Sequence, residues 1–338
     1  MMRGSGARLI GVGVVLAGLV PGPVPAEERT MPIVIAHRGA SGYLPEHTLP
    51  AKALAHAQGA DAIEQDVVAS RDGVPVVLHD VHLDTVSDVA ERFPGRARPD
   101  GRYYCVDFTL AELRTLALTE RFHHGDGRPV YPGRFPKGAG RFTIATLEEE
   151  LAFIAGLSRT TGRGAAVYPE IKQPAFHRRE GHDLARAVLD RLRAAGYATR
   201  SDACFVQCFD AAEVARIRRE LGWEGRLVQL VGGKGDDPLL TDEGLSRVAE
   251  VADGLGPALD RVVDPRGMAT DLVDRAHRAG LVVHVWTLRR DDLPPWAASF
   301  DELMARLAGT GVDGVFSDFP DLAVAWCARQ RHGSGGGR

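Results

Sequence analysis

The chain has 338 residues, 44% of them hydrophobic and 25% charged, with 45 acidic against 41 basic side chains and a formal net charge of −4. That is length for one large barrel or two modest domains, and the composition excludes collagen, coiled coil and wholesale disorder. A nucleic-acid binder would need a basic surplus, so no nucleic-acid partner is expected.

The first 26 residues differ from the rest. Arg3 and Arg8 give a positive start, and Leu9 to Val20 is an uncharged apolar run. At about 12 residues it falls short of the roughly 20 that span a bilayer. A Pro/Gly-broken stretch ending Val24-Pro25-Ala26 follows. This is the layout of a secretory signal peptide, residues 1–26, with cleavage expected after Ala26. Export to the periplasm or beyond, without stable membrane insertion, is the expectation. Without Arg3 and Arg8, 39 basic residues face 45 acidic ones, a net −6. The four cysteines, Cys105, Cys204, Cys208 and Cys327, match no zinc spacing and read as buried small apolar residues, although export would permit disulfides.

From residue 31 apolar runs alternate with helical patterns. Ile33-Val34-Ile35-Ala36 reads as a buried strand, and Pro50 opens a helix that ends near Gly59. Ala62 to Val68 is the second strand. Pro75 to His79, after an Asp72-Gly73 turn, is taken as the third. Residues 80–145 break the rhythm, being rich in Arg, Pro, Gly and aromatics. About 65 residues are too many for a plain connection, so an inserted subdomain after the third strand is expected. Thr109-Leu110-Ala111-Glu112 and Thr146-Leu147-Glu148-Glu149 are capping boxes that start helices.

Later units repeat the plan. Ala165–Ile171, Cys204–Phe209, Leu227–Val231, Leu281–Trp286 and Gly314–Ser317 are strands, and Gly254-Leu255-Gly256 is the weakest candidate. Helices at Asp183–Ala195, Asp210–Leu221 and Asp271–Ala279 close on Gly196, Gly222 and Gly280. About eight strands separated by helices predict an α/β fold, a (β/α)8 TIM-type barrel over residues 31–327. An open doubly wound sheet is the alternative, but it would want a Gly-rich phosphate loop after the first strand. The tail, 330–338, reads as disordered.

Polar residues then fall at strand ends. His37 and Arg38 follow the first strand, Glu64 and Asp66 lie two apart on the second, and His79 ends the third. Glu170 and Lys172, Gln207 and Phe209, and His284 and Trp286 are further pairs two apart, hence on one face. In a parallel barrel all these ends gather on one rim. Three acids there (Glu64, Asp66, Glu170) repel one another unless a hard divalent cation joins them. His37 and His79 are candidates for acid and base, and Arg38 and Lys172 for neutralising a phosphate. His123, His124, His177 and His182 read as surface or loop residues.

These residues resemble a known family. His37-Arg38-Gly39, Leu44-Pro45-Glu46-His47-Thr48, Glu64-Gln65-Asp66, Leu78-His79-Asp80, Pro169-Glu170-Ile171-Lys172 and Val206-Gln207-Cys208-Phe209 look like the glycerophosphodiester phosphodiesterases. Asp100 to Tyr104, Tyr131 to Pro136 and Phe316 to Pro320 look like its periplasmic, calcium-dependent bacterial branch. The resemblance implies hydrolysis of glycerophosphodiesters, such as glycerophosphocholine and glycerophosphoethanolamine, to sn-glycerol 3-phosphate and an alcohol. It implies Glu64, Asp66 and Glu170 as ligands of Ca²⁺, with Mg²⁺ as the alternative, and His37 and His79 as the acid–base pair. It places Arg38 and Lys172 on the phosphate and Glu46, Gln207, Phe209 and Trp286 around the substrate. The rim departs from the branch at Ala175, within His284-Val285-Trp286-Thr287 and over 231–240, which leaves the head group open. A homodimer is possible on this reading, and the oligomeric state is not fixed by it.

Overall fold

The computed structural model describes Met1, residues 31–232 and residues 237–333. The expected signal peptide, residues 233–236 of the altered rim segment and the last residues of the tail lie outside them.

Nine strands form one sheet: β1 (Ile33–Ala36), β2 (Ala62–Ala69), β3 (Pro75–Val77), β4 (Ala166–Ile171), β5 (Phe205–Cys208), β6 (Arg226–Val231), β7 (Gly254–Pro257), β8 (Val282–Leu288) and β9 (Gly314–Ser317). Eight of them run parallel in the order β1-β9-β8-β7-β6-β5-β4-β2, and a β1–β2 pairing closes the ring. This is the expected (β/α)8 barrel.

One strand is misplaced in the sequence reading. Pro75–Val77, expected as the third barrel strand, pairs antiparallel with β2, Val67 opposite Val77 and Ala69 opposite Pro75. The physical reason is the connection. A parallel return needs a crossover of a dozen or more residues, whereas Ala69 reaches Pro75 through a tight turn with Gly73 at φ 74°. Residues 80–145 therefore follow a hairpin strand that stands outside the ring. With Val68 of β2 and Val76 of β3 they build a second apolar cluster, in which Leu83, Val86, Phe108, Leu113 and Leu118 are buried.

The alternation along each strand sorts the barrel into two layers. Val34, Ile63, Val67, Val167, Val206 and Leu227 point outward and pack under the helices. Ile35, Ala62, Tyr168, Val228 and Phe316 point inward and fill the barrel. The glycines of β7 explain why that strand reads weakly. A Cβ on Gly256 would lie 2.5 Å from the Leu230 side chain, so a larger residue at this inward position would force Leu230 to shift.

The helix starts follow the capping signals. Thr146 and Glu149 form a reciprocal capping box at Leu147–Thr161, as Thr109 and Glu112 do at Leu110–Leu113. Asp210 accepts from the Glu213 N–H at the start of Ala211–Arg219. The last helix runs Pro320–Gly333, so Gln330 to His332, read as tail, are helical. All four cysteines are free and buried. No helix among the described residues is long and apolar enough to cross a membrane.

Candidate active site

Strand register builds the acidic centre. Asp66 on β2 lies opposite Glu170 on β4, which lies opposite Gln207 on β5, and all three point into the barrel. Glu64 lies one inward position below Asp66. Oxygens of Glu64, Asp66 and Glu170 fall within 4.8 Å of one another, and all three residues are buried. Burial and mutual repulsion push the Glu64 and Glu170 carboxyls up, Glu170 to about 8. Asp66 Oδ1 is buried without a hydrogen-bond partner among the described residues, with the Lys172 ammonium 3.6 Å away. An all-oxygen set with repelling charges and a free lone pair fits a hard divalent cation.

Each acid is held by neighbours. Glu64 Oε1 accepts from Gln207 Nε2 at 3.0 Å, and its Oε2 accepts from the Arg38 backbone N–H at 2.8 Å. That backbone donor is aimed by Arg38 at φ 57° and Gly39 at φ 87°, a left-handed turn off β1. Lys172 Nζ lies 2.8 Å from Glu170 Oε1.

The histidines stand at the edge of this centre. His37 Nδ1 lies 2.6 Å from Asp318 Oδ1, and its Nε2 lies 3.8 Å from Glu64 Oε2. His79 Nδ1 lies 2.6 Å from Asp80 Oδ1. A carboxylate at Nδ1 fixes the tautomer with N–H there and leaves Nε2 as the acceptor. Burial pushes the His37 ring down to about 4, partly offset by Asp318. His79 is also lowered by burial.

The predicted residues converge. His37, Arg38, His79, Lys172, Gln207, Phe209 and Trp286 line one cavity of about 280 Å³ with the three acids. Glu46 lies beside it and takes Arg38 Nη1 at 2.9 Å. His284 does not reach the rim. It sits one inward position below Trp286, buried, with Nδ1 2.8 Å from the Tyr168 hydroxyl. His177, read as a surface or loop residue, is buried on the short helix Pro174–Arg179.

Five supporting residues carry no assigned role in the sequence reading. Arg121 reaches from the 80–145 segment to Glu46 (2.6 Å) and Asp80 (2.6 Å). Arg134 of the same segment reaches Asp318 at 2.7 Å and Asp291 at 2.8 Å, and so joins the segment to His37's partner. His47 Nε2 lies 2.7 Å from Asp66 Oδ2, and Lys52 Nζ lies 3.2 Å from His47 Nδ1. Lys52 in turn pairs with Glu150 at 2.8 Å, with both side chains fully buried. The Lys52 ammonium can only donate, so His47 Nδ1 accepts and its Nε2–H donates to Asp66. Burial and Lys52 hold the His47 ring down at about 3, in keeping with a neutral imidazole. Asp66 Oδ2 is thereby committed, and Oδ1 is the oxygen left for a cation. The motif Leu44 to Thr48 marked the loop, but nothing in it marked this chain of contacts.

Residues 37–322 match the Glycerophosphoryl diester phosphodiesterase family. A glycerophosphodiester phosphodiesterase of Haemophilus influenzae is 41% identical over 322 residues, covering 86% of this chain and 88% of that one. One of Treponema pallidum is 39% identical over 349 residues, covering 94% and 96%. A solved structure of a glycerophosphoryl diester phosphodiesterase from Silicibacter pomeroyi superposes with a TM-score of 0.68 at 28% identity, covering 89% and 94% of the two chains. An Oleispira antarctica phosphodiesterase, solved with the product sn-glycerol-3-phosphate, shares the fold at a TM-score of 0.61 and 23% identity, covering 88% and 97%.

Proposed function

The chain belongs to the glycerophosphoryl diester phosphodiesterase family, and we propose that it hydrolyses glycerophosphodiesters, among them glycerophosphocholine and glycerophosphoethanolamine, to sn-glycerol 3-phosphate and an alcohol. The observation that carries this reading is the buried triad of acids within 4.8 Å, flanked by two histidines that each have a carboxylate at Nδ1.

Glu64, Asp66 and Glu170 would hold a divalent cation, Ca²⁺ in the first place and Mg²⁺ as the alternative. Such an ion polarises a phosphoryl oxygen and stabilises its developing charge. The side chains supply the rest. Arg38 and Lys172 orient and neutralise the phosphate. His37, the more deeply buried ring and held neutral, is the base: its Nε2 takes the proton of the glycerol hydroxyl next to the phosphoester as that oxygen attacks phosphorus. His79 is the acid: as the imidazolium, with Nδ1–H held by Asp80, it gives its Nε2 proton to the departing alcohol oxygen as the P–O bond breaks. Water then opens the cyclic phosphate by the reverse proton transfers. Asp318 and Asp80 support whichever ring is charged. The apolar stretch Leu9–Val20 supports export, and with it a periplasmic or secreted site of action.

The test is a coupled assay of glycerol 3-phosphate release from several glycerophosphodiesters, with chelator and then Ca²⁺ or Mg²⁺ restored. Loss on chelation and recovery on adding a cation is the expected result. Release unaffected by chelator removes the cation from the reaction.

A further inference from the structure

A second cavity, about 220 Å³, opens beside the catalytic one beneath the 80–145 segment and shares His37, Arg38, His79 and Arg289 with it. The arginines in its wall are matched by carboxylates: Arg38 and Arg121 by Glu46, Arg134 and Arg289 by Asp318. Glu120 is the exception among the acids. It is 3% exposed, and its Oε2 has no hydrogen-bond partner among the described residues. Burial, and after it the nearby Glu46 carboxylate, push the Glu120 carboxyl up to about 8 despite Arg134. At neutral pH it is then mainly the uncharged acid, with one O–H donor and one carbonyl acceptor. Buried polar groups of this kind normally have a partner. A neutral acid does not call for a cation or an anion. It suits an alcohol hydroxyl, which can accept one hydrogen bond and donate another.

The other large opening at the rim has a different character. It is about 450 Å³, borders His79, Glu170 and Lys172, and is lined further out by Phe176, Phe209 and the exposed Arg179. A wide outer cleft with aromatic walls accommodates an alcohol that varies between substrates. A smaller polar cavity under a covering segment suits the part that every substrate shares.

We propose that the smaller cavity binds the free hydroxyls of the glycerol unit, and that Glu120 determines specificity by hydrogen-bonding its terminal hydroxyl. The assignment rests on the hydrolytic reading above and adds to it where the glycerol lies. Glu120 touches the substrate away from the reacting atoms, so the proton transfers of the reaction do not pass through it. Tyr131 and Ser41 line the same wall, and Ser41 Oγ, which donates to the His37 carbonyl at 2.8 Å, keeps lone pairs for a second contact.

The experiment compares two substrates on three proteins. One substrate is glycerophosphocholine. The other is its analogue built on propane-1,2-diol, which lacks the terminal hydroxyl and keeps the hydroxyl next to the phosphoester. The wild type is expected to favour glycerophosphocholine by about tenfold in kcat/KM, the scale of one well-made hydrogen bond. Glu120→Leu should lose about tenfold on glycerophosphocholine and stay within twofold on the analogue. Glu120→Gln, which still donates and accepts, should retain most of the preference. Equal loss on both substrates in Glu120→Leu, or no wild-type discrimination, overturns the subsite. Failure of the wild type to turn over either substrate overturns the hydrolytic reading itself.

Discussion

Lys52→Met tests whether the buried Lys52–Glu150 ion pair sets up the acidic centre. Lys52 and Glu150 are both fully buried and 2.8 Å apart, and Lys52 also contacts His47, which holds Asp66. Deleting one member of a buried pair costs about 3–5 kcal/mol, because the remaining charge has no partner and no water. Burial already pushes the Glu150 carboxyl up, so it takes a proton readily and the cost should fall at the lower end. At roughly 2 °C per kcal/mol for a chain of this size, thermal unfolding should drop by about 6 °C. Lys52→Met with Glu150→Leu removes both members and should recover much of that loss. The functional effect is separate. Without the Lys52 donor, His47 Nδ1 is left buried without its partner and the ring's hold on Asp66 loosens, so cation affinity measured by calorimetry should fall roughly 10–100-fold, as for other outer partners of metal ligands. Excess cation should then restore most of the turnover. A single variant that melts with the wild type would refute the energetic argument. Unchanged cation affinity would refute the link from Lys52 through His47 to Asp66.

Three further outcomes follow from the same geometry. His37→Ala and His79→Ala should each lower kcat by roughly 10²–10⁴-fold in the coupled assay with melting temperatures little changed, and near-normal rates in either would remove that histidine from the chemistry. Asp318, Asp80 and Glu46 are held below their ordinary range by Arg289, His79, Arg121 and other neighbours, so their stabilisation is present above about pH 4 and is lost as pH falls through their depressed values. Melts from pH 6 to pH 3 should show the onset of that loss below about pH 4, and Asp318→Asn should flatten it. Glu170, at about 8 without a cation, is largely protonated at pH 7, so cation binding should release about one proton and tighten from pH 6 to pH 8. Calorimetry in buffers of different ionisation heat reads this directly, and an absence of proton release would contradict it.

The barrel and the acidic centre were legible because both rest on local periodicity. Glu64 and Asp66 share a face by strand alternation, and register then places Glu170 beside Asp66. What was missed depends on contacts between distant parts of the chain or on a connection too short for its assumed role. Pro75–Val77 has the same apolar look as a barrel strand, and only the tight turn before it reveals the antiparallel pairing. Lys52 sits on the helix Leu49–Ala57 as an apparently ordinary surface lysine, and its burial depends on Glu150, about a hundred residues later. Arg121 and Arg134 look like any arginine of a polar segment until that segment folds over the rim. His284 and Trp286 do share a face as expected, but alternation gives the face and not the depth, so His284 lies in the barrel interior. His177 stands among polar residues in the sequence, yet on its helix it is buried.

The most direct test of the hydrolytic reading is a ³¹P NMR time course of glycerophosphocholine with cation-loaded protein. The diester resonance should be replaced by that of sn-glycerol 3-phosphate, with choline released. Appearance of phosphocholine with free glycerol would place the cut on the other ester bond and contradict the assignment of the two sides of the site.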